Sequence, residues 1–304
     1  MGDGEAGTLR VAGDSNAPGG TRVIGSTAVV VDSASYLPGA VVERFGITVV
    51  PMTVVLDGEE HREFETLNSA TFYERLAAGA KVSTSQPPPG LFVDAYETAR
   101  AAGACEVLSI HIGSALSGTI NSARTAAGLA GIPVHIVDTG QASFIEGLAA
   151  WEACDVLAAG GSVEEAAAAA VAAGKAAGNV FLVRGMELLH AGGRMRAEGP
   201  DPAGVPILAA DGAGIRPVGS ANTIDQALGS IVEHARAEMA RAPGKLFRVG
   251  VANGDADTLA AELMTRMKAE PMVEEAVEYV IGPAVGAHTG PGCTGVVFLG
   301  RPLP

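Results

Sequence analysis

Residues 106–119 read EVLSIHIGSALSGT, and the fold turns on how they are understood. The stretch 106–112 is apolar and of strand length. It runs into a turn of Gly113, Ser114, Ala115, Leu116, Ser117 and Gly118, after which a helix begins near Thr119. A strand that hands over to a helix through a short polar turn is one unit of a βα architecture.

Other such units lie on both sides. Upstream, 27–32 (TAVVVD) reads as a buried strand, 37–45 as a helix opened by Pro38, and 47–56 as a second strand in which Pro51 implies an edge or a bulge. Helices are expected at 71–78 and 90–103, with a polar turn at 83–87 (STSQP) between them. Downstream come a strand at 134–138 and helices at 143–159 and 163–177, the latter opened by a Ser162/Glu165 capping box. Strands separated by helices predict a parallel sheet with helices on its faces, a first domain over 26–160.

Residues 161–304 have another rhythm and predict an α+β second domain. A strand at 180–183 and a short helix at 186–189 precede a Pro/Gly-rich stretch, 198–206. A hairpin over 207–218 turning at Asp211-Gly212, a helix at 224–240, a strand at 247–252, a helix at 256–268 and a strand at 276–281 follow. A glycine-dense loop, 282–292, leads to a last strand at 294–299. Residues 1–25 are Gly-, Asp- and Ser-rich without a period and read as a disordered tail, or equally as the remnant of a misassigned start.

Composition excludes several classes. With 20 Lys+Arg against 34 Asp+Glu the net charge is −14, so no basic stripe remains for nucleic acid and an anionic membrane repels the chain. Cys105, Cys154 and Cys293 are too far apart for a disulfide framework or a zinc ribbon and read as structural thiols in a reducing compartment. No signal peptide or apolar run of about 18 residues is present, so a soluble cytoplasmic protein is expected. Nucleophile elbows, phosphate-gripping loops, dinucleotide fingerprints and metal-ligand spacings are missing. The acidic pairs Glu59-Glu60, Glu164-Glu165 and Glu274-Glu275 read as solvated, on turns or helix starts.

Three polar clusters remain. In 113–119, Ser117 stands at the expected N-cap of the helix from Thr119, where free N–H groups favour an anion; an ordinary capped turn explains it equally well. In 83–86, three prolines stiffen the chain behind the hydroxyls of Thr84 and Ser85, although helix capping is the simpler account. In 282–292, His288 is set among glycines and prolines, with little local packing to explain it. His61, His111, His135, His190 and His234 sit in or beside regular elements and read as structural.

Together with VVVDSASYLP (29–38), VVPMTVVLDG (49–58), TSQP (84–87), SIHIGSALSGT (109–119), VHIVD (134–138), LLHAGGR (188–194), PIL (206–208) and IGPAVGAHTGPG (281–292), the chain resembles the DegV family of fatty-acid-binding proteins, which includes the lipid-binding subunit of bacterial fatty acid kinase. The resemblance implies a long-chain fatty acid buried between the two domains. Its carboxylate would be held by Thr84, Ser117 and His288, with Ser85, Gly118, Thr119 and Thr289 in support. No cofactor, metal or catalytic residue is implied. A separate ATP-binding kinase subunit is the implied partner, with Arg194 as a contact. Residues 195–205 and 220–223 depart from the family's basic pattern, Val205 standing where a lysine is usual. Lipid binding is therefore the firmer expectation. The alternatives are a serine hydrolase or acyltransferase using Ser117 and His288, and a carrier of another anionic amphiphile without a kinase partner.

Overall fold

A computed structural model describes residues 21–193, 195 and 201–302. Strand β1 (Thr27–Asp32), helix α1 (Gly39–Phe45) and strand β2 (Thr48–Val50) open the first domain. Strands β3 (Thr53–Leu56) and β4 (Glu59–Arg62), helix α2 (Ser69–Ala77) and strand β5 (Val82–Ser85) follow. Helix α3 (Pro89–Ala101), strand β6 (Glu106–His111), helix α4 (Thr119–Ala127), strand β7 (Val134–Asp138) and helices α5 (Phe144–Ala158) and α6 (Val163–Ala176) continue the chain. A parallel sheet in the order β2-β1-β6-β7 results, as expected from alternating strands and helices. Every residue of β1 is buried, which suits its short continuous apolar run.

Pro51 does more than mark an edge. The expected single strand over 47–56 divides there: β2 stays in the parallel sheet, whereas β3 starts a three-stranded antiparallel sheet, β4-β3-β5. Residues 83–85, expected in a turn, are its edge strand β5, paired with β3 because Thr84 and Val82 face inward while Ser83 and Ser85 face out. Glu59 and Glu60 lie on exposed strand β4 rather than on a turn. Residues 21–25, assigned to the tail, are tied in: Arg22 N–H donates to Gly46 O at 3.2 Å, and Ile24 pairs with Thr27. The first 20 residues lie outside the described range.

The second domain comprises strand β8 (Gly178–Leu182), helix α7 (Glu187–Ala191), strands β9 (Val205–Asp211) and β10 (Gly214–Ala221), helix α8 (Ile224–Met239) and strand β11 (Lys245–Gly254). Helix α9 (Asp257–Lys268), strand β12 (Val273–Val280), helix α10 (Pro283–Thr289) and strand β13 (Cys293–Pro302) complete it. Its mixed sheet runs β10-β9-β8-β13-β11-β12. Glu274 and Glu275 lie on strand β12, not at a helix start. The glycine-dense segment is helical where a loop is expected: α10 forms because Gly286 lets it lie against Phe72 and Tyr73, with a Cβ there 2.7 Å from the Tyr73 hydroxyl.

Helix α5 sits between the two large sheets. Phe144, Leu148, Trp151 and Cys154 share one core with Val31 and Ile110 of the parallel sheet and with Tyr279, Val297 and Leu299 of the mixed one. An electrostatic clamp backs this layer. Buried Arg248 bonds Glu152 at 2.8 Å, Glu275 at 2.7 Å and Asp155 at 3.3 Å, its guanidinium stacked 3.8 Å over the Trp151 ring. The expected Ser162/Glu165 capping box starts α6.

Candidate functional site

The carboxyl ends of β1 and β6 point at the face of the mixed sheet, and a cavity of about 240 Å³ lies between them. Its floor is one row across four strands: Phe181, Gly295, Ala252 and Tyr279 are register partners in β8, β13, β11 and β12. Gly295 and Ala252 leave a groove walled by the two rings. Ala34, Ile112, Leu116, Ala142 and Ile145 close it from the parallel-sheet side. At one end the lining turns polar, with Thr84, Ser85, Gln86, Ser117, Gly118, His288 and Thr289.

The structure thus brings together six of the seven ligand-contact residues expected from sequence. Thr84 Oγ1, on edge strand β5, is 3.3 Å from His288 Nε2 on α10. Gly192 makes room for that imidazole, since a Cβ there would lie 2.3 Å from His288 Nδ1. Ser117 Oγ is 2.8 Å from Thr119 Oγ1 and accepts the Thr119 N–H at 3.3 Å. Ser117 is not the N-cap: that position falls on Gly118, without a side-chain cap. Thr119 is fully buried behind the wall, its hydroxyl reaching Met52 Sδ at 3.5 Å, so it orients Ser117 rather than lining the cavity. Ser85 is exposed at the rim, and Thr289 bonds Val285 O at 3.3 Å. Arg194 lies outside the described residues.

Behind the polar end is a network that the sequence reading missed. Glu63 accepts from the hydroxyls of Ser33 and Tyr36 and from the Ala284 N–H at 2.7 Å, the first turn of α10. Tyr36 Oη also accepts the Val285 N–H at 3.0 Å. Burial pushes the Glu63 carboxyl up to about 7, against the pull of those hydrogen bonds. Among the described residues Glu146 is buried with no hydrogen-bond donor at either oxygen, and burial first, then the Asp32 carboxylate, raises its pKa. Asp32 is satisfied by the N–H groups of Ala34 and Ile112 and by His111 Nδ1 at 3.2 Å. His111 continues to Ser109 and Tyr96, all buried, which makes that chain a structural brace.

All three cysteines are free. Cys105 is exposed rather than structural, and Cys293 lines the cavity, burial pushing its thiol up to about 12 and so disfavouring the nucleophilic thiolate. Among the described residues no cluster of His, Cys, Asp and Glu can hold a metal ion, and no helix is long and apolar enough to cross a membrane.

Residues 26–301 match the family model described as an uncharacterised protein of the DegV family. The chain belongs to the DegV family. A DegV domain-containing protein of Streptomyces coelicolor is 35% identical over 279 residues, covering 90% of this chain and 98% of the relative. Among solved structures, a DegV family protein from Thermus thermophilus, described by its fatty acid binding, superimposes with a TM-score of 0.84 at 30% identity, covering 91% of this chain and all of that one. DegV from Bacillus subtilis, described as a fatty acid binding protein, gives 0.81 at 28% identity over 91% and 99% of the two chains.

Proposed function

We propose that this chain binds a long-chain fatty acid in the cavity between its sheets, with the carboxylate on Thr84, Ser117 and His288, and presents that carboxylate to a fatty acid kinase subunit. The observation that carries the reading is the shape of the site: an apolar groove closed on both sides, ending in hydroxyls and an imidazole that come from three separate elements. Each buried methylene contributes ~0.8 kcal/mol, so a tail of about 15 gives roughly 12 kcal/mol before ordering costs. A carboxylate entering such a groove unpaired costs several kcal/mol, which hydroxyl and imidazole donors offset. The tail sets affinity and the head sets position. The relatives' fatty acid binding supports the same assignment.

Binding without catalysis fits the hydroxyl geometry better than a hydrolase does. The imidazole meets Thr84, whereas the Ser117 hydroxyl is engaged by Thr119. The absence from the sequence of a phosphate-gripping loop supports a kinase activity supplied by a partner. Lipid mass spectrometry on a denaturing extract of the purified protein is the test. A stoichiometric fatty acid is expected; an empty protein that also takes up no palmitate or oleate overturns the reading. Acyl phosphate formation when a fatty acid kinase subunit and ATP are added tests the partnership separately.

A further inference from the structure

Among the described residues, two hydroxyls lining the cavity meet no partner but each other, and that at 3.5 Å. Ser143 is the N-cap residue of α5, yet its side chain makes no capping hydrogen bond. Serine at that position ordinarily bonds a free N–H of the first turn. Ser143 instead adopts φ 60° and ψ −157°, a region that only glycine occupies readily, and lines the cavity. Opposite stands Tyr279, 4% exposed, its ring fixed by stacking on Phe144 at 4.8 Å and on Tyr36 at 6.4 Å. Among the described residues the Tyr279 hydroxyl meets only Ser143 Oγ, at 3.5 Å, well beyond the ~2.5–3.0 Å of a formed O–H···O bond. Tyr279 shares its row with Gly295, one two-residue step, about 7 Å, along β13 from Cys293, which lies beside Thr289 at the polar end. The pair is therefore set back from the head group, against the tail.

We infer that Ser143 and Tyr279 form a polar station that selects acyl chains bearing a hydroxyl group along the tail. This inference rests on the fatty acid reading above. In a wholly apolar groove a chain hydroxyl loses its water without replacement and is rejected. Here the two protein hydroxyls share one long, weak contact at 3.5 Å, and a ligand hydroxyl lying beside the pair accepts from one and donates to the other. Stearate, by contrast, leaves the two with that weak contact alone. The strained Ser143 backbone turns the hydroxyl toward the groove instead of down the helix.

The test is competitive binding of stearate and a positional panel of hydroxystearates to the full chain, wild type, Tyr279→Phe and Ser143→Gly. Glycine suits the Ser143 backbone, so that variant keeps the fold while losing the hydroxyl. One hydroxyl position is expected to bind wild type at least as tightly as stearate. Each variant is expected to lower the affinity for that isomer relative to stearate by about fivefold, the worth of one hydrogen bond. If every isomer binds more weakly than stearate to wild type, or if the variants leave the hydroxystearate-to-stearate ratio unchanged, the inference is overturned while the fatty acid reading stands. If stearate itself does not bind wild type, both fall.

Discussion

The Ala284 N–H donates to Glu63 Oε1 at 2.7 Å across 221 residues of sequence. That bond joins the connection after β4 to the helix carrying His288, with Ser33 and Tyr36 on the same carboxyl group. Asp32 and Glu146 are the other carboxyl groups of this buried region, and Tyr73 packs beside α10.

The carboxyl of Glu63 makes stability pH-dependent. Its pKa is raised on folding from 4.5 to about 7, so between these values the folded chain keeps a proton that the unfolded chain releases. The resulting stabilisation is complete below 4.5 and is lost as pH rises through 7. Two to three pKa units correspond to roughly 3 kcal/mol. Urea denaturation at pH 5 and pH 8 is expected to show this loss in wild type and a smaller one in Glu63→Gln, where the raised Glu146 carboxyl still contributes in the same direction. An unchanged slope in the variant removes Glu63 as its source.

Head-group contacts separate binding from folding. Thr84→Ala with Ser117→Ala removes two donors to a charged oxygen, each worth roughly 1.5–3 kcal/mol, and is expected to weaken fatty acid binding by about a hundredfold or more. The melting temperature of the lipid-free protein should stay within a few degrees of wild type, since Thr84 is only half-buried and Ser117 bonds a neighbour two residues away. Equal lipid occupancy in wild type and double variant would place the carboxylate elsewhere.

Gly192 tests the imidazole without touching it. A methyl group at this position would overlap His288 Nδ1. Gly192→Ala is expected to displace the ring from Thr84 and lower fatty acid affinity about tenfold, the effect of one charge-assisted hydrogen bond. Thermal denaturation of the variant reports whether the fold is spared. Unaltered affinity in a folded variant would separate His288 from the head group.

Arg248 probes the helical layer. Arg248 is 4% exposed, and its guanidinium serves three carboxylates from α5 and β12. Arg248→Ala leaves Glu275 without its partner, while Glu152 keeps Arg301 at 3.1 Å, and is expected to destabilise by about 2–3 kcal/mol, read by denaturant unfolding. A loss below about 1 kcal/mol would reduce the cluster to a surface ion pair.

Much of this architecture is legible from residue patterns because it is local. The βα units around 27–32, 106–119 and 134–138 announce themselves through short apolar runs closed by polar turns. Thr84, Ser117 and His288 lie in polar segments that local chemistry singles out, but capping explains the first two as well, and the resemblance to DegV proteins is what joins the three into one site. What stays hidden depends on distant partners. A proline in an extended run looks alike whether it bends one strand or, as Pro51 does, passes the chain to a second sheet. Glycines in 282–292 argue against a helix by propensity, and α10 forms because Phe72, Tyr73 and Glu63 receive it. Glu63 itself lies between Arg62 and Phe64 with no local sign of burial, and Ser143 and Tyr279 meet across 136 residues.

Helix α5 has a kinetic consequence. Because its residues are buried against both large sheets, the halves of the molecule cannot part like the covers of a book without stripping that helix of its core. On the fatty acid reading, a guest enters lengthwise, and Ser85 and Gln86 are exposed lining residues at the polar end. The interior then behaves as a ruler rather than a jaw, and residence time grows with every carbon that has to slide past Phe181 and Tyr279 on the way out.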